Sequence, residues 1–106
     1  MNDRLPPFLG LCKKAGKLTI GLDPVKSSIA LGESRLVVLA GDVSCHTEKE
    51  VRFVAERFNK RVIKLKQTKD EISPALGKLA AVISINDEGF AKKIRSMTAA
   101  TDREEL

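Results

Sequence analysis

Arg35-Leu36-Val37-Val38-Leu39-Ala40, running into Gly41-Asp42-Val43-Ser44, is the stretch that decides the fold. After Arg35 every position is apolar and nothing alternates, so the strand it forms must be covered on both faces, as in a sheet flanked by helices. Downstream, Thr47-Glu48-Lys49-Glu50 reads as a capping box, and Val51, Val54, Ala55 and Phe58 recur at the spacing of one helical stripe. Arg61-Val62-Ile63-Lys64-Leu65 is the next strand, followed by a second capping box, Thr68-Lys69-Asp70-Glu71, before Ile72, Ala75 and Leu76. Ala80 to Ile85 forms a last strand, and Asn86 or Asp87 can cap a final helix that turns Phe90, Ala91, Ile94 and Met97 inward.

Upstream, Pro6 and Pro7 suit the first turn of a helix carrying Leu5, Phe8, Leu9, Cys12 and Ala15 until Gly16 ends it. Leu18-Thr19-Ile20 is a short strand. Asp23 as N-cap and Pro24 as first helical residue open a second helix, with Val25 and Ile29 on its buried face and Gly32 at its close. Strands and helices alternate with short connections and no repeat. The pattern predicts an α/β fold, a three-layer α/β/α sandwich around a four-stranded mixed sheet. It leaves the strand order open, and the short first strand can join in either direction. One domain over residues 1–106 is expected, with a frayed tail from about residue 99.

With 106 residues, 42% hydrophobic and 31% charged, the composition is that of a soluble globular chain. No apolar run nears the roughly 20 residues of a membrane span, and the polar start Met1 to Arg4 followed by two prolines does not read as a signal peptide. A cytoplasmic address without membrane contact is expected, with Cys12 and Cys45 as reduced thiols in separate helices. The net charge of +5, from 19 Lys plus Arg against 14 Asp plus Glu, favours a polyanionic partner. Four Phe with no Trp or Tyr disfavour stacking of single-stranded bases.

The inventory for metal or nucleophilic chemistry is His46, Cys12 and Cys45, without ligand spacing or a nucleophile–base pair, so neither a metal site nor catalysis is expected. Asp42 and Asp87 follow apolar strands, where loop and helix-cap roles suffice for them. The more specific region is Gly16 to Lys26. There, Gly21 allows close approach of a phosphate, the second helix offers N–H groups, and Lys17 and Lys26 add charge.

The run Phe8-Leu9-Gly10-Leu11-Cys12-Lys13-Lys14-Ala15-Gly16-Lys17-Leu18, then Gly21, then Arg35 to Ser44, resembles short bacterial members of the ribosomal protein "L-seven-Ae" family. Ile85-Asn86-Asp87-Glu88-Gly89-Phe90-Ala91-Lys92-Lys93-Ile94 is similar to that family as well, so the resemblance spans about Leu5 to Ile94. It implies an α/β/α sandwich that binds kink-turn RNA, without a cofactor. The family's Gly-x-Asn-Glu-x-x-Lys pattern at the second helix falls on Gly21, Asp23, Pro24 and Ser27, and its base-holding loop near Leu65 to Lys69. The site expected from the resemblance and the local charges together is Lys17, Gly21, Asp23, Lys26, Leu65, Lys66 and Lys69.

The function expected is that of a non-catalytic, monomeric structured-RNA-binding protein, associated with ribosomes or kink-turn RNA and with ribosomal proteins as further partners. The alternative is a protein-interaction adaptor on the same fold that has lost base-specific reading.

Overall fold

The computed structural model describes the backbone over residues 4–104 and the side chains through 98; the expected signal-free start at residues 1–3 and the end of the tail at 105–106 lie outside the described residues. The chain opens with α1 (Leu5–Lys14), whose first turn holds Pro6 and Pro7 where no N–H partner is required. After β1 (Leu18–Ile20) and α2 (Leu22–Ala30) comes β2 (Leu36–Leu39), fully buried over its length. Next follow α3 (Cys45–Arg57), β3 (Val62–Lys64), α4 (Lys69–Leu76), β4 (Val82–Ile85) and α5 (Glu88–Glu104). The backbone of α5 thus continues through residues 99–104, the segment read from sequence as frayed.

The strand order is β1-β4-β2-β3. β2 and β3 are parallel with Val38 opposite Ile63, while β4 runs antiparallel to both β2 and β1. Period-two alternation then divides the apolar residues between the faces. Leu36, Val38, Ile63, Ile83 and Ile85 pack under Leu5, Leu9, Ile72, Leu76, Ala91 and Ile94 from α1, α4 and α5. Val37, Leu39 and Val82 pack under Val25 and Ile29 of α2 and Val51 and Ala55 of α3. Burying each Leu, Ile or Val contributes roughly 1.5–3 kcal/mol, which is why a continuous apolar β2 sits second from the edge with helices on both faces.

One polar seam crosses the α2 face. Ser84 Oγ, fully buried, lies 2.7 Å from both Ser34 Oγ and Asn86 Oδ1. Asn86 Oδ1 also accepts from the Ser28 hydroxyl, and Asn86 Nδ2 donates to Thr19 Oγ1. Because a carboxamide oxygen can only accept, the Ser84 proton goes to Asn86 and Ser34 donates to Ser84.

The caps show where local reading succeeded. Thr68 and Glu71 form the full reciprocal box at α4, which ends on Gly77 in the left-handed conformation. Asp87 accepts from Phe90 N–H at the start of α5. At α3, by contrast, Ser44 rather than Thr47 is the N-cap, accepting from Thr47 N–H, so the helix starts three residues earlier than its spacing predicts. Phe58, read as part of the buried stripe, falls at the C-cap and is 42% exposed.

Candidate nucleic-acid interface

The end of the sheet where β1, β2 and β3 finish and β4 begins is tied together by backbone bonds. Gly21 N–H donates to Val82 O, Ala40 N–H to Ala81 O, and Gly41 N–H to Gln67 O. Gly21 and Lys66 therefore share one end of the molecule. They stand at its two edges, about three strand spacings or ~14 Å apart.

Gly21 is the N-cap of α2 with φ 107° and ψ 155°, a region only glycine enters readily. No side chain caps the helix; Pro24 has no N–H and Val25 N–H donates to Gly21 O, so the Leu22 and Asp23 N–H groups are the ones left to meet an anion. Asp23, expected as the cap, is instead the second helical residue, exposed, with Pro24 after it. The antiparallel bond between Gly21 and Val82 ends β1 one residue before the helix, which moves the cap to Gly21.

Lys26 points at α3, where its Nζ lies 2.9 Å from Glu50 Oε1. The hydrogen bond from Lys26 holds the Glu50 carboxyl below its usual range, and the same bond raises the lysine. Glu50 also receives His46 Nε2 at 2.8 Å. Lys26, expected at the contact, is thus engaged within the protein.

Two further expectations are corrected. Lys17 precedes β1 and lies at the opposite end of the strand from Gly21, where its carbonyl accepts from Asn86 N–H. Lys13 sends its Nζ toward Gly77 at the end of α4. Leu65 is 5% exposed and belongs to the core beside α4, because period two turns it to the same face as Ile63. Neither Lys17 nor Leu65 belongs to a surface built around Gly21.

What remains at this end is Gly21, Asp23, Lys66 and Lys69, with Asp42 tying the loop down by accepting from Lys69 N–H at 2.9 Å. Gly41 is the closest joint: a Cβ there would sit 2.7 Å from Leu65 O and 2.9 Å from Lys66 O. The segment between α4 and β4 was missed from sequence. Lys78 and Leu79, both exposed, lead directly to Ala81 and Val82, the neighbours of Ala40 and Gly21. The signal available was a helix-stopping Gly77 followed by a lysine and an exposed leucine before a buried strand.

Among the described residues no group of three His, Cys, Asp or Glu is placed to hold a metal ion. Asp87 caps the helix that follows it, while Asp42, just before α3, instead accepts from the first residue of α4, 27 positions on. No described helix is long and apolar enough to cross a membrane.

Residues 4–95 match the ribosomal protein L7Ae/L30e/S12e/Gadd45 family. The RNA-binding protein YlxQ of Bacillus subtilis is 33% identical over 92 residues, covering 86% of this chain and 91% of the relative. Among solved structures, a protein of unknown function from Bacillus halodurans superposes with a TM-score of 0.84 at 26% identity, over 91% of this chain and 97% of that one. The Giardia lamblia 15.5kD RNA binding protein shares the fold, with a TM-score of 0.76 at 13% identity over 93% and 85%.

Proposed function

The chain belongs to the ribosomal protein L7Ae/L30e/S12e/Gadd45 family, and from that premise we propose that it is a non-catalytic protein that binds structured RNA through the Gly21 end of its sheet. The observation that carries this reading is the uncapped, glycine-entered start of α2 sharing a surface with the Lys66–Lys69 loop. A relative matched over most of its length is itself named an RNA-binding protein.

A helix start with two unbonded N–H groups suits a phosphate or a base edge, and Lys66 and Lys69 supply charge at the other edge of the same sheet end. A sharply bent RNA fits this arrangement better than a straight one. The α2 tip and the lysine loop are separated by the ends of β4 and β2, so a kinked backbone can meet both while its bend lies over the strand ends. The reading includes kink-turn RNA, ribosomal RNA among its sources. Asp23 limits base reading, because an ionised carboxylate accepts from a guanine edge but offers it no donor.

An electrophoretic titration of kink-turn and straight duplexes at two salt concentrations tests this. Selective binding of the bent RNA is expected, and replacing Lys66 and Lys69 with Ala should lower the slope of log K against log salt by about 1.8. Equal binding of both RNAs removes the kink-turn reading, and an unaltered slope in the double variant removes this surface.

A further inference from the structure

The opposite end of the sheet carries a larger cationic surface that the contact above does not use. Lys17 precedes β1, Arg35 precedes β2 and Arg61 precedes β3, and β4 ends into Asn86. The strand order sets them in a row, Lys17, Asn86, Arg35, Arg61, about 4.8 Å apart from strand to strand. Backbone bonds hold the row: Asn86 N–H to Lys17 O, Arg35 N–H to Ile85 O, and Val37 N–H to Arg61 O.

On the β2–β3 side of that row an open cleft of about 680 Å³ is lined by Arg35, Arg52, Lys60, Arg61 and Arg95, with Glu56 as its one carboxylate. Arg52 is paired with Glu48 at 2.9 Å, Arg95 reaches Glu88 at 3.9 Å, and Arg35 donates to Gly32 O. Among the described residues no carboxylate pairs with Lys60 or Arg61. The C-terminus of α3 accounts for a cation at Lys60, since helix carbonyls favour positive charge. It does not account for Arg35, Arg61 and Arg95, which come from two strand starts and another helix. With Glu48 and Glu88 offsetting Arg52 and Arg95 and Glu56 in the lining, the excess positive charge rests on Arg35, Lys60 and Arg61; gathering it costs stability through repulsion, and a polyanion removes that cost.

We propose that this cleft is a second RNA site, one that takes the sugar–phosphate backbone of a further helical arm of the RNA held at the Gly21 end; it rests on the RNA reading above. Four of its five cations are arginines, whose planar forks match phosphate oxygens in a bidentate manner. The cleft has no aromatic side chain on which to stack a base and only Ala55 and Val62 as apolar lining. Backbone contact is therefore the chemistry on offer, and a protein partner would lack the apolar centre that such interfaces use. The two sites lie at opposite ends of strands three to four residues long, about 10–13 Å along the strand direction. An RNA that bends over the α2 end can return an arm along the molecule into this cleft, whereas a short straight duplex reaches one end only.

The test uses two bent RNAs, one whose arm stops at the Gly21 end and one whose arm is extended by a helical turn. Each is titrated against the wild type, the Lys60→Ala/Arg61→Ala variant and the Lys66→Ala/Lys69→Ala variant, with circular dichroism melts to confirm folding. Arg35→Gln serves as an independent cleft variant. The extended RNA should bind the wild type more tightly than the short one, and the cleft variants should erase that gain without altering the short RNA's affinity. Loss of two phosphate contacts lowers the salt slope by about 1.8, so between 50 and 200 mM salt the wild type should lose roughly twelvefold more affinity for the extended RNA than Lys60→Ala/Arg61→Ala does.

Equal binding of the two RNAs by the wild type, or a cleft variant that retains the gain, overturns the proposal while leaving the Gly21-end reading intact. A cleft variant that loses binding beside a Lys66→Ala/Lys69→Ala variant that does not overturns the Gly21-end reading and supports the cleft as an RNA site. Competition by polyglutamate as effective as by the RNA arm would assign the cleft to an acidic protein and overturn the proposal.

Discussion

Replacing Gly41 with Ala should both destabilise the protein and displace the loop that carries Lys66 and Lys69. Gly41 stands two residues beyond the end of β2, and its N–H donates to Gln67 O at 2.8 Å. A Cβ at this position would stand 2.7 Å from Leu65 O, 2.9 Å from Lys66 O and 3.2 Å from Lys66 C. Those atoms are backbone, so no rotamer change relieves the overlap, and the loop must retreat by about half an ångström or more to restore ordinary contact distances. Overpacking of this kind costs roughly 1–3 kcal/mol. The same retreat stretches the Gly41–Gln67 bond, adding about 0.5–1.5 kcal/mol.

The expected loss is thus about 2–4 kcal/mol, and at roughly 4–8 °C per kcal/mol for a domain near this size the melting temperature should fall by more than about 8 °C. Circular dichroism is the assay, since the chain has no Trp or Tyr to report by fluorescence. Gly21→Ala provides the contrast. Its Cβ would meet nothing nearer than Pro24 Cδ at 3.5 Å, so its cost comes from the φ of 107° alone, about 1–3 kcal/mol. A Gly41→Ala protein within about 0.5 kcal/mol of the wild type would refute the close-approach argument. If it melts low yet binds RNA normally below its transition, the joint does not position the loop.

Cys12 is fully buried and Cys45 is exposed, so a thiol reagent should modify Cys45 in the native protein and reach Cys12 only after denaturation; rapid double labelling would contradict the packing. Burial pushes the Cys12 thiol up from 9.0 to about 11. The unfolded chain therefore releases that proton first, and the thiol's contribution to stability declines as pH rises from about 9 to about 11. A Cys12→Ala variant should lack that component, and parallel pH profiles for the two proteins would speak against it. Asn86→Ala removes the acceptor shared by Ser28 and Ser84 and a donor to Thr19, and should cost about 1–3 kcal/mol in urea unfolding. A cost near zero would mean that water replaces the amide. Thr68→Ala opens the α4 capping box and should cost about 1 kcal/mol, measured the same way, with Glu71→Ala showing less than additive loss in the double variant.

The two ends of the sheet differ in their electrostatics. Around Gly21, Lys66 and Lys69 stand among Asp23, Asp42 and Asp70, and Lys26 is neutralised by Glu50. Attraction there is short-range, and specificity falls to the helix tip and the loop backbone. At the Arg61 end five cations line the cleft with Glu56, and although Arg52 and Arg95 also meet Glu48 and Glu88, a net positive charge remains that favours long-range capture of a polyanion.

Much of this molecule was legible in its residues. The unbroken apolar run at β2, the capping box at α4, the prolines opening α1 and the alternation of elements all act within one turn or one strand. Short-range hydrogen bonds and side-chain periods are sufficient to place them, and they gave the layered α/β architecture and its mixed sheet. The surface was harder to read. Lys17 and Gly21 are four residues apart in sequence yet lie at opposite ends of β1, because an extended strand carries the chain about 3.3 Å per residue away from where it began. Lys26 was removed from the expected site by Glu50, 24 positions on, and the cap of α2 moved to Gly21 because β4 pairs there. Which charges meet depends on which strand ends lie side by side and which helices cross, and that is settled only when the apolar faces have closed over the sheet.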